Sequence, residues 1–274
     1  MSLPISSDNS AAEDSFFSDQ GALLLGDSLE VMKRIQTGSV DLILTDPPYN
    51  LGKYSTGNIE LDWRADFNND VAEWDQGEFD PASLVEQFQR ILSPTGTIFA
   101  FTSYNLLGRW HEIYDPLFDT FQFMVWHKTN PPPKFRRAGF LNSIELIVCL
   151  WNKGHKWNFS NQADMHNFIE GPICGGNERL KEPKHPTQKP VKILKRLMEY
   201  CTDEGDLVLD AFSGVGSTGA ACLQNGRRFI GIERDLEFHH AAVKRIEREM
   251  TKGRQTEMDL VIGDNQMDNT TVVS

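Results

Sequence analysis

The chain has 274 residues, a formal net charge of −12 at pH 7 and 39% hydrophobic residues. This length predicts one large domain, or one domain with an inserted lobe, that buries a full core without disulfides or metals. Taken as a sum, the negative charge argues against a nucleic-acid partner, and the longest apolar runs are too short for a membrane-spanning helix.

The start of the chain and its cysteines predict the compartment. The first ten residues are polar and lack the basic and apolar regions of a secretory signal. The four cysteines form no CxxC pair, and neither they nor the irregularly spaced histidines match a metal site. We therefore expect a cytoplasmic protein with reduced, mostly buried thiols and no metal.

Apolar strands alternate with amphipathic helices between residues 21 and 250, which predicts an α/β fold with a doubly wound, mostly parallel sheet. An Asp80-Pro81 pair supplies the N-cap and first residue of one helix. The predicted strands are 40–44, 97–101, 121–126, 144–150, 207–209 and 229–232. The predicted helices are 81–92, 191–200, 217–224 and 236–250.

The remaining segments do not follow this alternation. Residues 1–20 and 251–274 have few large apolar side chains, so we expect a disordered acidic arm and a C-terminal tail with at most a short strand at 260–262. Residues 51–79 are predicted to be a loop. Residues 130–184 are predicted to contain an insert, with a separate lobe from about 152 onward.

Charge is distributed unevenly over these segments. Residues 1–20, 51–80 and 251–274 carry net charges of −4, −6 and −2, whereas residues 128–189 carry +5. One basic stretch therefore lies within an acidic protein, and the total charge does not exclude a polyanionic partner.

A glycine-rich turn follows the predicted strand 207–209. Gly214, Gly216 and Gly219 form a GxGxxG pattern between a strand and a helix, the context in which such glycines let the backbone approach a ligand closely. Glu233 ends the next strand, where its carboxylate can accept hydrogen bonds from both hydroxyls of a ribose. These residues predict a nucleoside-containing cofactor, and by themselves they leave NAD and S-adenosylmethionine equally open.

A second motif, Asp46-Pro47-Pro48-Tyr49, lies at the end of strand 40–44, where open α/β sheets place their sites. Asp46 and the Pro47 carbonyl can accept the two hydrogens of an exocyclic amine, which directs the nitrogen lone pair at a methyl donor. Tyr49 can stack on an extruded base. The four residues are our candidate catalytic residues, which act by positioning and charge stabilisation rather than as a nucleophile.

Together the two motifs resemble those of the amino-group DNA methyltransferases that use S-adenosylmethionine. The segment His185-Pro186-Thr187-Gln188-Lys189-Pro190 resembles their His-Pro-Thr-x-Lys-Pro element, and Gly26-Asp27 resembles a further cofactor-binding element. Ala211 departs from the family's usual Pro. The resemblance implies an S-adenosylmethionine site formed by Asp27, Lys189, Asp210, Phe212, Gly214, Gly216, Ser217 and Glu233.

The order of the motifs is similar to that of the β group of these enzymes, because the tetrad precedes the cofactor loop. The resemblance then implies a target-recognition region at 130–184, which is the basic stretch. The implied contacts to double-stranded DNA are Lys134, Arg136, Arg137, Lys153, Lys156 and Arg179, and Lys128 is a further candidate.

The tetrad begins with Asp and is followed by Asn50, and by the habit of the family that it resembles, this implies adenine N6 as the target, with cytosine N4 as the alternative. An NAD-dependent oxidoreductase and a catalytically inactive DNA-binding regulator are more distant alternatives. The resemblance leaves open a homodimer and a cognate restriction endonuclease as partners.

Overall fold

The computed structural model describes residues 2–6, 15–50, 79–133, 139–183 and 185–268. The described strands are β1 (Phe16–Phe17), β2 (Gly21–Leu25), β3 (Val40–Thr45), β4 (Leu92–Thr102), β5 (Thr120–Lys128), β6 (Ile144–Trp151), β7 (Phe168–Gly171), β8 (Leu207–Asp210) and β9 (Arg228–Glu233). The described α-helices are α1 (Ser28–Met32), α2 (Val85–Ile91), α3 (Leu107–Tyr114), α4 (Val191–Glu199), α5 (Ser217–Leu223) and α6 (Leu236–Asp268).

In this part of the chain the strands form one sheet in the order β1-β2-β9-β8-β3-β4-β6-β5-β7. Five of the strand pairs are parallel, and β1–β2, β4–β6 and β6–β5 are antiparallel. The predicted α/β class with a mostly parallel sheet is confirmed. The centre of the sheet is β9-β8-β3-β4, so β3, from the first quarter of the chain, lies beside β8, from the last quarter.

Both faces of the sheet are covered by helices. Along β3, Leu42 and Leu44 face the cluster packed by α4, α5 and α6, whereas Ile43 faces the cluster packed by α1, α2 and α3. Successive side chains of a strand point to opposite faces, so a fully apolar strand can be buried on both sides. This packing accounts for the continuous apolar run in β3.

The two ends of the chain are more ordered than predicted. Phe16 and Phe17 pair with β2, Ile5 forms a bridge with Ile35, and Leu3 and Ile5 pack against the core. The prediction of a disordered arm over residues 1–20 is therefore wrong for 2–6 and 15–20, because its few apolar side chains find a place on the core; residues 7–14 lie outside the described part.

The predicted tail also differs. The backbone of α6 runs on to Asp268, so the short strand expected at 260–262 is not formed. Continuation of an existing helix requires no new nucleation, so residues 251–268 can remain helical although they have few large apolar side chains.

The segment 130–184 does not form a separate lobe in its described residues. It contributes β6, which lies between β4 and β5 inside the sheet, and β7, which pairs with β5 at the edge. The predicted loop 51–79 lies outside the described residues except for Phe79. The helix predicted from residue 81 begins as a 3-10 turn, Pro81–Leu84, and continues as α2.

All four cysteines are free and buried, as expected. No helix in the described ranges is long and apolar enough to cross a membrane.

Candidate active site

The two motifs meet at the carboxyl ends of neighbouring strands. β3 and β8 pair in parallel, with Leu42 opposite Val208 and Ile43 opposite Leu209. Just beyond these pairs, Thr45 Oγ1 donates a hydrogen bond to Asp210 Oδ1 at 2.9 Å. Residues 165 apart in the chain are thus in direct contact at the edge where parallel sheets place ligands.

Hydrogen bonds from the loop that follows β4 fix the backbone of the tetrad. The Tyr49 carbonyl accepts hydrogen bonds from Ser103 Oγ at 3.2 Å and Asn105 Nδ2 at 3.1 Å. Asn50 follows with a positive φ of 55°, and its side-chain amide exchanges two hydrogen bonds with the backbone of Phe79. These contacts hold the turn after β3 in one position.

A charged cluster surrounds the tetrad. Lys189 Nζ lies 2.5 Å from Asp46 Oδ2 and 3.2 Å from Glu145 Oε2. Lys128 Nζ lies 2.8 Å from Glu145 Oε1, and the Tyr49 hydroxyl donates to Asp46 Oδ1 at 2.5 Å. The side chains of Lys189, Glu145 and Asp46 are only 5%, 16% and 20% exposed, so this is a nearly buried cluster.

Burial and pairing set the protonation of this cluster. Burial raises the pKa of the Asp46 carboxyl, an effect that Lys189 opposes. Burial alone would lower the pKa of the Lys189 ammonium, but Asp46 and Glu145 outweigh it and raise that pKa. Burial also raises the pKa of the Tyr49 hydroxyl well above its ordinary value. Tyr49 and Lys189 therefore remain protonated hydrogen-bond donors at neutral pH.

The glycine turn approaches its neighbours closely. Gly216 has φ 76° at the N-cap of α5, and a Cβ there would come within 3.1 Å of the Ala242 methyl group. At Gly219 a Cβ would lie 2.9 Å from Ile246 Cδ1, so a side chain there would force this residue of α6 to shift. Gly214 has φ 49° and lies beside His185. The turn needs glycine for its dihedral angles and for its packing.

Two candidate cofactor residues lie at the ends of the adjacent strands β2 and β9. Asp27 caps α1, accepting from the Leu29 and Glu30 amides. Glu233 accepts from the Gly214 and Asp235 amides, each at 2.8 Å. Burial raises the pKa of the Glu233 carboxyl. The structure thus brings Asp27 and Glu233 to the same edge as the glycine turn.

Asp210 is the most enclosed carboxyl group of this edge. Besides Thr45, it accepts from Thr218 Oγ1 at 2.5 Å and from the Phe212 amide at 3.1 Å. Burial raises its pKa to about 6, although these hydrogen bonds favour the ionised form. Ser217, also buried, accepts from Arg245 Nη1 at 3.0 Å, which links α5 to α6.

Residues 40–244 match the sequence model of the DNA methylase family whose members act on N6 and N4 amino groups. This chain belongs to the N6/N4 DNA methylase family. The match runs from the first residue of β3 into α6 and includes both motifs. The resemblance predicted from the motifs is confirmed.

Two curated relatives and one solved structure are similar to this methylase. It is 34% identical over 247 residues to the type II methyltransferase M.HinfI of Haemophilus influenzae, covering 82% of this chain and 67% of that protein. It is 30% identical over 263 residues to the type II methyltransferase M2.LlaDCHI of Lactococcus lactis subsp. cremoris, covering 87% and 94%. The crystal structure of an M1.HpyAVI–SAM complex superimposes with a TM-score of 0.60 at 26% identity, covering 81% of this methylase and 98% of that chain.

The predicted DNA contacts that lie in the described residues are found at two different ends of the sheet. Lys134, Arg136 and Arg137 lie outside the described residues. Arg179 donates to the carbonyls of His185 and Pro186, close to the glycine turn.

Lys153 and Lys156 lie at the opposite end of the sheet. Lys156 pairs with Asp203 and Asp206, which precede β8, and Lys153 follows the end of β6, where Trp151 lies opposite Thr97 of β4. Because β6 is antiparallel to β4, its end points away from the tetrad. The prediction that these two lysines share a DNA-facing surface with Arg179 is not supported by the fold.

Two residues of the charged cluster were not assigned to the site from sequence. Glu145 was not identified, and Lys128 was interpreted as a DNA contact although it is buried against Glu145. The available signal in the sequence was one acidic residue, Glu145, at the start of the apolar run of β6. Its partner could not be read from the sequence, because the contact depends on the pairing of β5 with β6.

Proposed function

We propose that this methylase transfers a methyl group from S-adenosylmethionine to adenine N6 in double-stranded DNA. The observation that carries the proposal is the hydrogen bond from Thr45 to Asp210, which joins the tetrad to the cofactor loop at one sheet edge. The site proposed for the target amine and the site proposed for the nucleoside of the cofactor are then adjacent, as direct transfer between two bound molecules requires.

The residues of the glycine edge suit S-adenosylmethionine. Asp210, Glu233 and Asp27 supply three carboxylates for an ammonium group and for hydroxyl or amino hydrogens. The nearby His185 is kept neutral, because burial lowers its pKa to about 4. Such a set attracts a cation and repels the pyrophosphate of a dinucleotide, which disfavours the NAD alternative. We place Lys189, Phe212, Gly214, Gly216 and Ser217 around the same cofactor.

In the proposed reaction the cofactor would supply an electrophilic methyl group: as the bond to the target nitrogen forms, the bond to the cofactor sulfur breaks, a neutral thioether leaves, and the methylated amine then releases one proton to water. Asp46 accepts one hydrogen of the exocyclic amine and the Pro47 carbonyl accepts the other, while Pro48 stiffens the turn and Tyr49 stacks on the flipped base. The anionic carboxylate stabilises positive charge as it develops on the nitrogen. Adenine is proposed over cytosine because the tetrad begins with Asp.

Expression in a methylation-free bacterial host, followed by single-molecule sequencing of the genome, tests this proposal. We expect N6-methyladenine at one sequence motif, and none with Asp46→Ala, whose affinity for S-adenosylmethionine by calorimetry should persist. N4-methylcytosine in place of N6-methyladenine would overturn the adenine assignment. Undiminished methylation by Asp46→Ala would overturn the mechanism. Cytoplasmic localisation, a homodimer and a cognate endonuclease stay predictions.

A further inference from the structure

Both oxygens of the Asp46 carboxylate are occupied. Oδ1 accepts from the Tyr49 hydroxyl and Oδ2 from Lys189 Nζ, each at 2.5 Å. Charge-assisted contacts of this length are strong. Each oxygen can accept a second hydrogen bond, but an amine that engages Asp46, as the proposed function requires, shares that oxygen with a strong donor, and its contact becomes stronger if the donor moves to another acceptor.

Glu145 offers that acceptor to both donors. Its Oε2 lies 3.2 Å from Lys189 Nζ and 3.3 Å from the Tyr49 hydroxyl. Both distances are close to hydrogen-bond length already, so a small movement of either donor is enough. Lys189 Nζ is also held over the rings of Phe101 and Tyr49, with its nitrogen 4.9 Å and 5.3 Å from the ring centroids.

The charges of the cluster favour this exchange. The carboxylates of Asp46 and Glu145 balance the ammonium groups of Lys189 and Lys128. Burial alone would raise the pKa of Glu145, but the two lysines outweigh it and lower that pKa, so the group is a ready anionic acceptor. A buried ammonium that left Asp46 without an anion beside it would be strongly destabilised. Glu145 removes that penalty.

We propose that Glu145 is a positioning residue that takes over Lys189 and the Tyr49 hydroxyl when the target amine engages Asp46. This exchange frees the Asp46 carboxylate and the Tyr49 ring for the base, while the ammonium of Lys189 stays paired with an anion. Glu145 itself does not touch the reacting atoms. This inference rests on the proposed function.

Two variants test the role of Glu145 by single-turnover methyl transfer from labelled S-adenosylmethionine to genomic DNA of a methylation-free host. Glu145→Gln removes the anion at nearly constant shape. The double variant Glu145→Gln, Lys128→Met removes one charge of each sign, so the cluster stays neutral and the fold is protected. We expect both to slow transfer about tenfold or more, with cofactor affinity by calorimetry nearly unchanged.

Glu112→Gln is the matched control. Glu112 is an exposed acid of α3, and it pairs with Arg109 at 3.0 Å. We expect it to transfer methyl at the wild-type rate. A folded double variant that also transfers at the wild-type rate would overturn the role of Glu145. If the wild type methylates no DNA, the proposed function fails first.

A Lys189→Met background separates positioning from a general structural role. If Glu145 acts by holding Lys189 away from Asp46, then Glu145→Gln should cost less than about twofold once Lys189 is absent, so the two effects are not additive. Additive losses in the two backgrounds would mean that Glu145 acts independently of Lys189, and would overturn the inference.

Discussion

At the scale of single residues, this methylase concentrates buried acids at one edge of its sheet. Asp46, Asp210 and Glu233 each have a pKa raised by burial, although each accepts hydrogen bonds that favour ionisation. Acids held in this way are disfavoured as anions until a cationic ligand or hydrogen-bond donor arrives. Cofactor binding should therefore depend on pH.

For Asp210 the pH range over which cofactor affinity should change can be stated. With a pKa of about 6, its carboxylate is ionised at pH 7.5 and mostly protonated at pH 5. If the Asp210 anion pairs with the cofactor ammonium, as we propose, the affinity for S-adenosylmethionine should fall as the pH drops below about 6. Calorimetry between pH 5 and 8 measures this, and Asp210→Asn should bind weakly with a flatter pH profile. Wild-type affinity that is constant over that range would contradict the assignment.

The raised pKa of Asp210 affects stability in the opposite direction to cofactor affinity. The pKa of Asp210 is higher in the folded chain than its ordinary value of 3.8, so the folded state takes up the proton first. The contribution of Asp210 to the free energy of unfolding thus increases as the pH falls from about 6 toward about 4.

Glu233 gives a second test at this scale. Replacing it with Gln removes the anion that we place against the ribose hydroxyls. Hydrogen bonds to a charged group contribute about 1.5–3 kcal/mol, so the dissociation constant of S-adenosylmethionine should rise about tenfold or more. Glu237→Gln, which changes an exposed acid in the first turn of α6, serves as the control. Equal affinities for the two variants would remove Glu233 from the site.

At the scale of elements, the start of the turn before α2 depends on one side chain. Asp80 Oδ1 accepts from the Ala82 amide at 3.0 Å, and the same carboxylate contacts Arg109 of α3. Asp80→Ala removes the cap and should lower the free energy of unfolding by about 1 kcal/mol.

Asp80→Asn is the matched comparison. Asn caps a helix about as well as Asp but cannot form the ion pair. Urea unfolding should show Asp80→Asn close to the wild type and Asp80→Ala clearly below it. If the two variants were equally destabilised, the ion pair rather than the cap would account for the loss.

Elements with a strong apolar pattern could be predicted from the sequence, and elements that depend on distant partners could not. The apolar runs of β3 and β6 placed those strands within one or two residues. β1 has two residues and exists only because β2 lies beside it. The tetrad and the glycine turn were recognised as motifs, whereas Glu145 joined them only through the order of the strands.

At the scale of the whole molecule, the negative charge limits how DNA can bind. The net charge is −12, and Lys156 is already paired with two acids on the far side of the sheet. Lys128 is buried in the charged cluster around the tetrad rather than presented to a phosphate. Few of the predicted cations are therefore free to meet DNA in the described part of the protein.

We therefore expect weak, strongly salt-dependent binding to non-target DNA. Fluorescence anisotropy with a duplex lacking the target motif should give a dissociation constant above about 1 μM at physiological salt, falling steeply as salt is lowered. Micromolar or tighter binding that did not respond to salt would contradict this prediction.

The order of strands in the sheet also governs when this protein first becomes an enzyme during its synthesis. β3 emerges from the ribosome early, but its partner β8 and the strand β9 that joins β2 to the sheet come after residue 206. Until then the nascent chain holds the tetrad without the carboxylate that completes it. A chain that ends before Glu233 lacks β9 and the attachment of β2 to the sheet, so we expect DNA modification only from chains that extend beyond that residue.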